Sequence, residues 1–264
     1  MTHFTPHQRW LIIGTSLVIC LALVLPTNVI QIFDLVGYAV CHRIPERSFI
    51  IGGNQLPMCA RDTGMFGVAL LGVLGVALTQ TQRFAQFPKT RYLILLALGA
   101  LTWAIDGFNS YLLLATGRIL WYMPQNWLRL VTGAFMGAAL STLVVPLFNA
   151  SVWQPSLRSN TSHLRSWRDL FFVWGIALTW VLLVLWQQPV LYGLYTSFSA
   201  LGTLMLLTVV NGLTVLLLMG REAQVTAWSQ MTKPLLIGFA LTLIEIALIV
   251  ALRTWLTQQL GLPF

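Results

Sequence analysis

The chain has 264 residues, 57% of them hydrophobic and only 8% charged, with a formal net charge of +8 and a mean hydropathy of +0.79. Soluble domains carry roughly a quarter of their residues charged, so this composition excludes an ordinary water-soluble fold. The excess of Lys and Arg reflects membrane insertion and anionic headgroups, and no nucleic-acid partner is expected.

From the N-terminus, Arg9 precedes an apolar run from Leu11 to Leu25. Pro26-Thr27-Asn28 follows with no small-x-small cleavage pattern, so a retained span is preferred to a cleaved signal peptide. Asn28–Val40 places Val29, Ile30, Ile32, Phe33, Val36 and Val40 at amphipathic spacing. It is too short to cross the ~30 Å hydrocarbon core and suits an interfacial or folded-back helix. Further apolar runs lie at Gly64–Thr81, Arg91–Tyr111, Leu128–Phe148, Leu170–Trp186, Leu191–Met219 and Pro234–Trp255. With Trp10–Leu25 they make about seven spans, and the expected fold class is all-α, a polytopic transmembrane helix bundle. Residues 1–149 form a motif-bearing membrane domain with an extracytoplasmic loop over 28–63. Residues 150–264 add three further helices, expected to join the same bundle.

Basic residues set the expected orientation. Arg9, Arg83, Lys89, Arg91, Arg158, Arg165, Arg168, Arg221 and Lys233 fall in one alternating set of loops; Arg43, Arg47, Arg61, Arg118, Arg129 and Arg253 fall in the other. The positive-inside rule puts the richer set, and the N-terminus, in the cytoplasm and the C-terminus outside. A multi-pass protein of a prokaryotic plasma membrane is expected, with the lipid bilayer as its first partner. Trp10, Trp121, Trp127, Trp167 and Trp186 near span ends read as interfacial anchors. His3, His7 and His163 read as solvated histidines of tails and loops.

The polar residues gather in one stretch, Cys41-His42-Arg43-Ile44-Pro45-Glu46-Arg47-Ser48-Phe49, then Gly52-Gly53 and Cys59-Ala60-Arg61-Asp62-Thr63-Gly64. Three readings of the cysteines stay open. An oxidising compartment favours a Cys41–Cys59 disulfide, worth about 3 kcal/mol. Cys41, His42 and Cys59 also suit zinc or copper, with Asp62 or Asp106 as a fourth ligand. A redox-active or nucleophilic thiol is the third, with His42 able to act as acid or base. Arg43, Arg47 and Arg61 are expected either to pair locally with Glu46 and Asp62 or to bind an anionic lipid or small molecule.

Asp106, Asn109 and Ser110 form a polar stripe within a span, where a carboxylate is a functional hypothesis with a partner to be named. Arg129 is the expected partner, on one helical face with Asn126 and Gly133, and Gly133-x-x-x-Gly137 suits close helix approach. Catalytic candidates are therefore His42, Cys41, Cys59 and Asp106, with Arg47, Arg61, Asn126 and Arg129 as ligand-binding candidates. Glu245 stands alone in the last span and reads as a buried, hydrogen-bonded carboxyl or part of an ion path. No Gly-rich phosphate loop, HExxH, Gly-x-Ser-x-Gly or CxxC motif is present.

These motifs resemble a prokaryotic family of predicted membrane proteins classed as a domain of unknown function. Its pattern runs Cys-His-x-x-Pro-x-Arg-Ser-Phe, Cys-x-Arg-x-x-Gly, Asp-Gly, then Asn-x-x-Arg-x-x-Thr-Gly. The matching residues are Cys41, His42, Pro45, Arg47, Ser48, Phe49, Cys59, Arg61, Gly64, Asp106, Gly107, Asn126, Arg129, Thr132 and Gly133, within about residues 35–145. The resemblance points to the same site residues and implies no activity. The expected function is an integral membrane protein with an extracytoplasmic Cys/His/Arg/Asp site for a metal or an anionic lipid-like ligand. A transporter or channel subunit, and a scaffold with a disulfide-stapled outer loop, are the alternatives.

Overall fold

The computed structural model describes residues 27–79 and 82–260. Within them the chain forms α1 (Thr27–Val40), a 3-10 turn at Pro45–Arg47, a hairpin of β1 (Ile50–Ile51) and β2 (Asn54–Gln55), then α2 (Ala60–Thr79) and α3 (Thr90–Thr116). There follow α4 (Asn126–Val152), α5 (Trp167–Trp186), α6 (Tyr192–Leu218) and α7 (Ser229–Leu260). The last six helices are long and apolar enough to cross a membrane. The all-α bundle expected from hydropathy is present, and the expected span Trp10–Leu25 lies outside the described residues.

The helices generally run beyond the apolar stretches that announced them, and two of the extended ends are capped. Gly117, at φ 67, closes α3 with its N–H on the Leu113 carbonyl, a conformation glycine adopts without steric cost. Ser166 and Asp169 open α5 with a reciprocal capping box, which satisfies donors that the first turn leaves free.

Helix α2 packs chiefly on α4 and α6. Its crossing with α4 is set by glycine. A Cβ at Gly133 would stand 2.0 Å from the Arg61 carbonyl oxygen, one at Gly137 2.3 Å from that of Met65, and one at Gly64 2.3 Å from that of Leu130. Only hydrogen fits there, so the backbones touch, as the Gly-x-x-x-Gly spacing predicts. On its other sides α2 meets α5 and α6, where Trp180 (1% exposed) donates from Nε1 to the Thr63 carbonyl at 3.0 Å. The main core draws on both halves of the chain: Ile51, Leu56, Val68 and Leu130 with Val173, Trp180, Tyr195 and Phe198.

The loops divide between two ends of the bundle. At one, Gln154 donates to the Val225 carbonyl at 3.0 Å and Ser159 to that of Arg83 at 2.9 Å, so residues 82–89, 153–166 and 219–228 are joined. This end holds Arg83, Lys89, Arg158, Arg165 and Arg221, five of the nine residues of the expected richer basic set. His163 belongs here too, and the expectation of a solvated histidine is corrected: it is 2% exposed. The loop folds inward on Leu164 and Trp153, both fully buried, and carries the imidazole with it. The opposite end gathers residues 41–59, 117–125 and 187–191. There α1 packs on α6 and α7, and Arg253 of α7 donates to the carbonyls of Tyr38 and Cys41. Trp121, Trp127, Trp167 and Trp186 are exposed at or beside helix ends, whereas Trp153 and Trp180 are core residues.

Candidate functional site

The site is built where the chain leaves α1 and enters α2. Cys41 N–H bonds the Gly37 carbonyl at 2.8 Å and closes α1. Arg43, at φ 52, turns the backbone away. Gly52 and Gly53, at φ 59 and 81, make the two-residue hairpin turn that returns it, positive angles that such a turn requires. Gln55 holds the loop, donating to the Arg43 carbonyl at 2.9 Å and to Ser48 Oγ at 3.2 Å. Cys59, one residue before α2, therefore returns to Cys41.

Both cysteines are free thiols. The Cys59 backbone N–H donates to Cys41 Sγ at 3.1 Å. The two sulfurs and an Asp62 carboxylate oxygen all lie within 4.8 Å of one another. The pair is asymmetric. The hydrogen bond from the Cys59 side chain draws the Cys41 pKa down, against the opposing effect of burial. Cys59, the donor in that bond, half-buried and desolvated there, is held well above the ordinary thiol value. Cys41 is thus the first to ionise. His42 is exposed, because neighbouring side chains diverge, and Asp62 is the third member of the cluster.

Beside the thiols lies a charged cluster drawn from three helices and two loops. Here the expected Asp106–Arg129 pair is corrected. Asp106 is fully buried and takes Arg61, with Nη2 2.5 Å and Nε 3.1 Å from Oδ2. Arg61 Nη2 also reaches the Asp106 carbonyl and Ser110 Oγ, each at 3.1 Å. The glycine crossing of α2 and α4 leaves Arg61 facing α3, whereas Arg129 turns to its own helix and donates to Asn126 Oδ1 at 2.9 Å. The expected network of Arg43, Arg47 and Arg61 with Glu46 and Asp62 is likewise redrawn. Arg43 pairs with Asp34 of α1 at 3.3 Å, and Arg47 donates to the Ser110 carbonyl at 3.0 Å.

The second Asp106 oxygen accepts from Tyr122 at 2.9 Å. Burial, reinforced by that bond, pushes the Tyr122 phenol up to about 12. Tyr122 is the residue that sequence reasoning missed, since a loop tyrosine has no periodicity to place it. The signal was indirect: a buried carboxylate needs partners on both oxygens. Asn109 of the polar stripe fixes the same loop, donating to the Tyr122 carbonyl at 2.9 Å and accepting from the Trp121 N–H at 3.3 Å.

Arg129 is 5% exposed, and its Nε has no acceptor among the described residues. Asn126 joins it to the thiol-bearing loop by donating to the Ser48 carbonyl at 3.1 Å. Arg47 is lowered by burial and next by the Arg61 guanidinium, so the arginines are close enough to repel. Glu245 is placed apart from this cluster. It is exposed on α7, accepting from Asn211 at 2.9 Å, so the expectation of a buried Glu245 is corrected on burial while its hydrogen bond is present.

Fold and composition together define a polytopic, all-α membrane protein. Within it, residues 41–143 match a family described as "Predicted membrane protein (DUF2085)". The motif resemblance is therefore to a membrane-protein family without an assigned function, over the segment that carries the thiols and the charged cluster. An uncharacterized protein of Methanocaldococcus jannaschii is 26% identical over 115 residues, covering 44% of this chain and 67% of its own. No solved structure matches the chain.

Proposed function

We propose that this protein is a multi-pass component of a prokaryotic plasma membrane that holds a thiophilic metal ion, zinc or copper, on Cys41, Cys59 and Asp62. The N-terminus would face the cytoplasm and the thiol cluster the outside, as the basic-loop asymmetry supports. The observation that carries the reading is the convergence of two sulfurs and a carboxylate oxygen within 4.8 Å. Two thiolates with one hard oxygen form a donor set familiar for these metals, and a fourth position remains for His42 or an external ligand. Cys41, with its lowered pKa, gives up its proton more readily, and metal binding requires that loss.

The neighbouring arginines support an anionic ligand at the same place. Asp106 neutralises Arg61, which leaves Arg47 and Arg129 without a carboxylate partner among the described ion pairs. The unpaired Nε of buried Arg129 is a donor that a carboxylate or phosphate oxygen would satisfy.

Elemental analysis of the purified full-length protein, with thiol counting before and after reduction, tests this. The expected result is about one zinc or copper per chain, lost in Cys41→Ser and Cys59→Ser, with both thiols protected until a chelator is added. Two freely titrating thiols without metal would sink the metal reading. Thiols that appear only after reductant would replace it with a disulfide.

A further inference from the structure

The end of the bundle opposite the thiols carries a second arrangement of polar groups. An open surface pocket of about 350 Å³ is lined by Gln82, Arg83, Ser156, Leu157, Arg158 and Ser159. It lies just beyond the ends of α2 and α4, both long enough to span, and so at headgroup depth. Its lining residues include two arginines and no carboxylate. Neither arginine belongs to the ion pairs of the described residues, Arg43–Asp34 and Arg61–Asp106.

Both guanidinium groups are held by a single residue, Trp153, which is fully buried. Arg83 stacks over its ring, 3.6 Å from the centroid, and Arg158 donates from Nε to its carbonyl at 2.6 Å. Trp153 is anchored in turn by donating from Nε1 to Asn149 Oδ1 at 3.0 Å, and Asn149 donates to the Phe84 carbonyl at 3.0 Å. The cations are therefore positioned before any ligand arrives, which reduces the ordering cost of binding. One donor is left over: Arg158 Nη2 is buried and has no acceptor among the described residues. Ser156, Ser159 and Gln82 add hydroxyl and amide groups to the rim.

We propose that this pocket binds a phosphate group, with Arg83 and Arg158 as its clamp. Planar guanidinium forks match phosphate oxygens, and basic pockets between membrane helices take anionic headgroups in this way. The phosphate can belong to an anionic phospholipid or be free in solution, and two probes separate these sources.

The test titrates the purified full-length chain, in a neutral detergent, with short-chain phosphatidylglycerol and, separately, with inorganic phosphate, by calorimetry. Saturable binding is expected, weakened about tenfold or more in Arg83→Gln and in Arg158→Gln, as for the loss of a charge-assisted bond. Ser156→Asp, at an exposed position that leaves the Arg158–Trp153 contact intact, is expected to abolish it by supplying an internal carboxylate. Saturation by phosphatidylglycerol alone identifies a lipid headgroup; saturation by phosphate as well identifies a free phosphate site. Binding of neither probe overturns the proposal. So does unchanged affinity in Ser156→Asp, or an equal loss in Arg168→Gln, an exposed arginine at the same end outside the lining.

Discussion

The two ends of the bundle differ in whether their arginines are paired with carboxylates: both ion pairs of the described residues lie at the thiol end. Where the thiols lie, charge is turned inward: Arg61 spends its guanidinium on the fully buried Asp106, and Tyr122 occupies the carboxylate's other oxygen. At the far end the arginines sit on aromatic faces and backbone carbonyls, Arg83 on Trp153, Arg91 on Tyr92 and Arg165 on Phe84, with no ion pair to them among the described residues. An internal ion pair fixes geometry at the cost of desolvation. A guanidinium on a ring keeps most of its charge available to an incoming anion. The first end is organised around its own members, and the second is left open to something from outside.

The largest effect should come from the crossing on which the first end depends. Gly133→Ala sets a methyl carbon against the Arg61 carbonyl, a backbone atom that no rotamer change can move. Little folded protein is expected in detergent size-exclusion chromatography. Gly175→Ala, in α5 with nothing within 4 Å of the added carbon, should elute as wild type. A smaller loss, roughly 3–5 kcal/mol, is expected for Arg61→Ala, which strands a buried carboxylate. The double variant Arg61→Ala/Asp106→Ala should recover part of that loss in denaturant titrations. Equal destabilisation of the single and double variants would show that the pair is not the organising contact.

Next comes a pH effect at the opposite end. Burial lowers the His163 pKa from 6.5 to about 4, against a weaker upward pull from Asp169. The folded state thus binds the proton less readily than the unfolded chain. The neutral imidazole's contribution is complete above pH 6.5 and is lost as pH falls from there towards about 4. The loss amounts to at most about 3 kcal/mol. Melting temperatures measured across that window should fall for wild type and stay flatter for His163→Gln; parallel curves would remove the imidazole as the cause. The smallest effect is expected for Arg91→Leu, about 0.5–1 kcal/mol, since this exposed guanidinium contributes mainly its contact with Tyr92, 4.7 Å from the ring centroid. A much larger loss there would erase the contrast between the two ends.

The helices were legible because each needs an apolar stretch of membrane-spanning length, and the Gly133-x-x-x-Gly137 spacing announced its own contact. The convergence of Cys41, Cys59 and Asp62 was half legible, as the residues are close in sequence and a loop must return one to the other. The partner of Asp106 was not legible. Arg61 and Arg129 are both arginines at the start of a span, and the choice between them depends on which way each helix is rotated, which follows from the α2–α4 contact rather than from local spacing. His163 misled for a similar reason: a histidine among Ser, Asn and Thr looks solvated until the loop folds over Leu164. The hairpin strands have two residues each, too few to show an alternation.

The packing of α2 also bears on how divisible the molecule is. The segment that matches the family model, residues 41–143, carries the thiols, the ion pair and the α4 glycines. Yet a Cβ on Gly67 would strike the Trp180 ring, and one on Gly202 would stand 2.1 Å from the Phe66 carbonyl oxygen. Part of the wall around α2 thus comes from helices beyond the segment. A fragment cut at residue 143 would retain every motif side chain and lose the surface against which α2 is seated. The motif segment is in this sense a tenant of the larger bundle, not a module that can be transplanted alone.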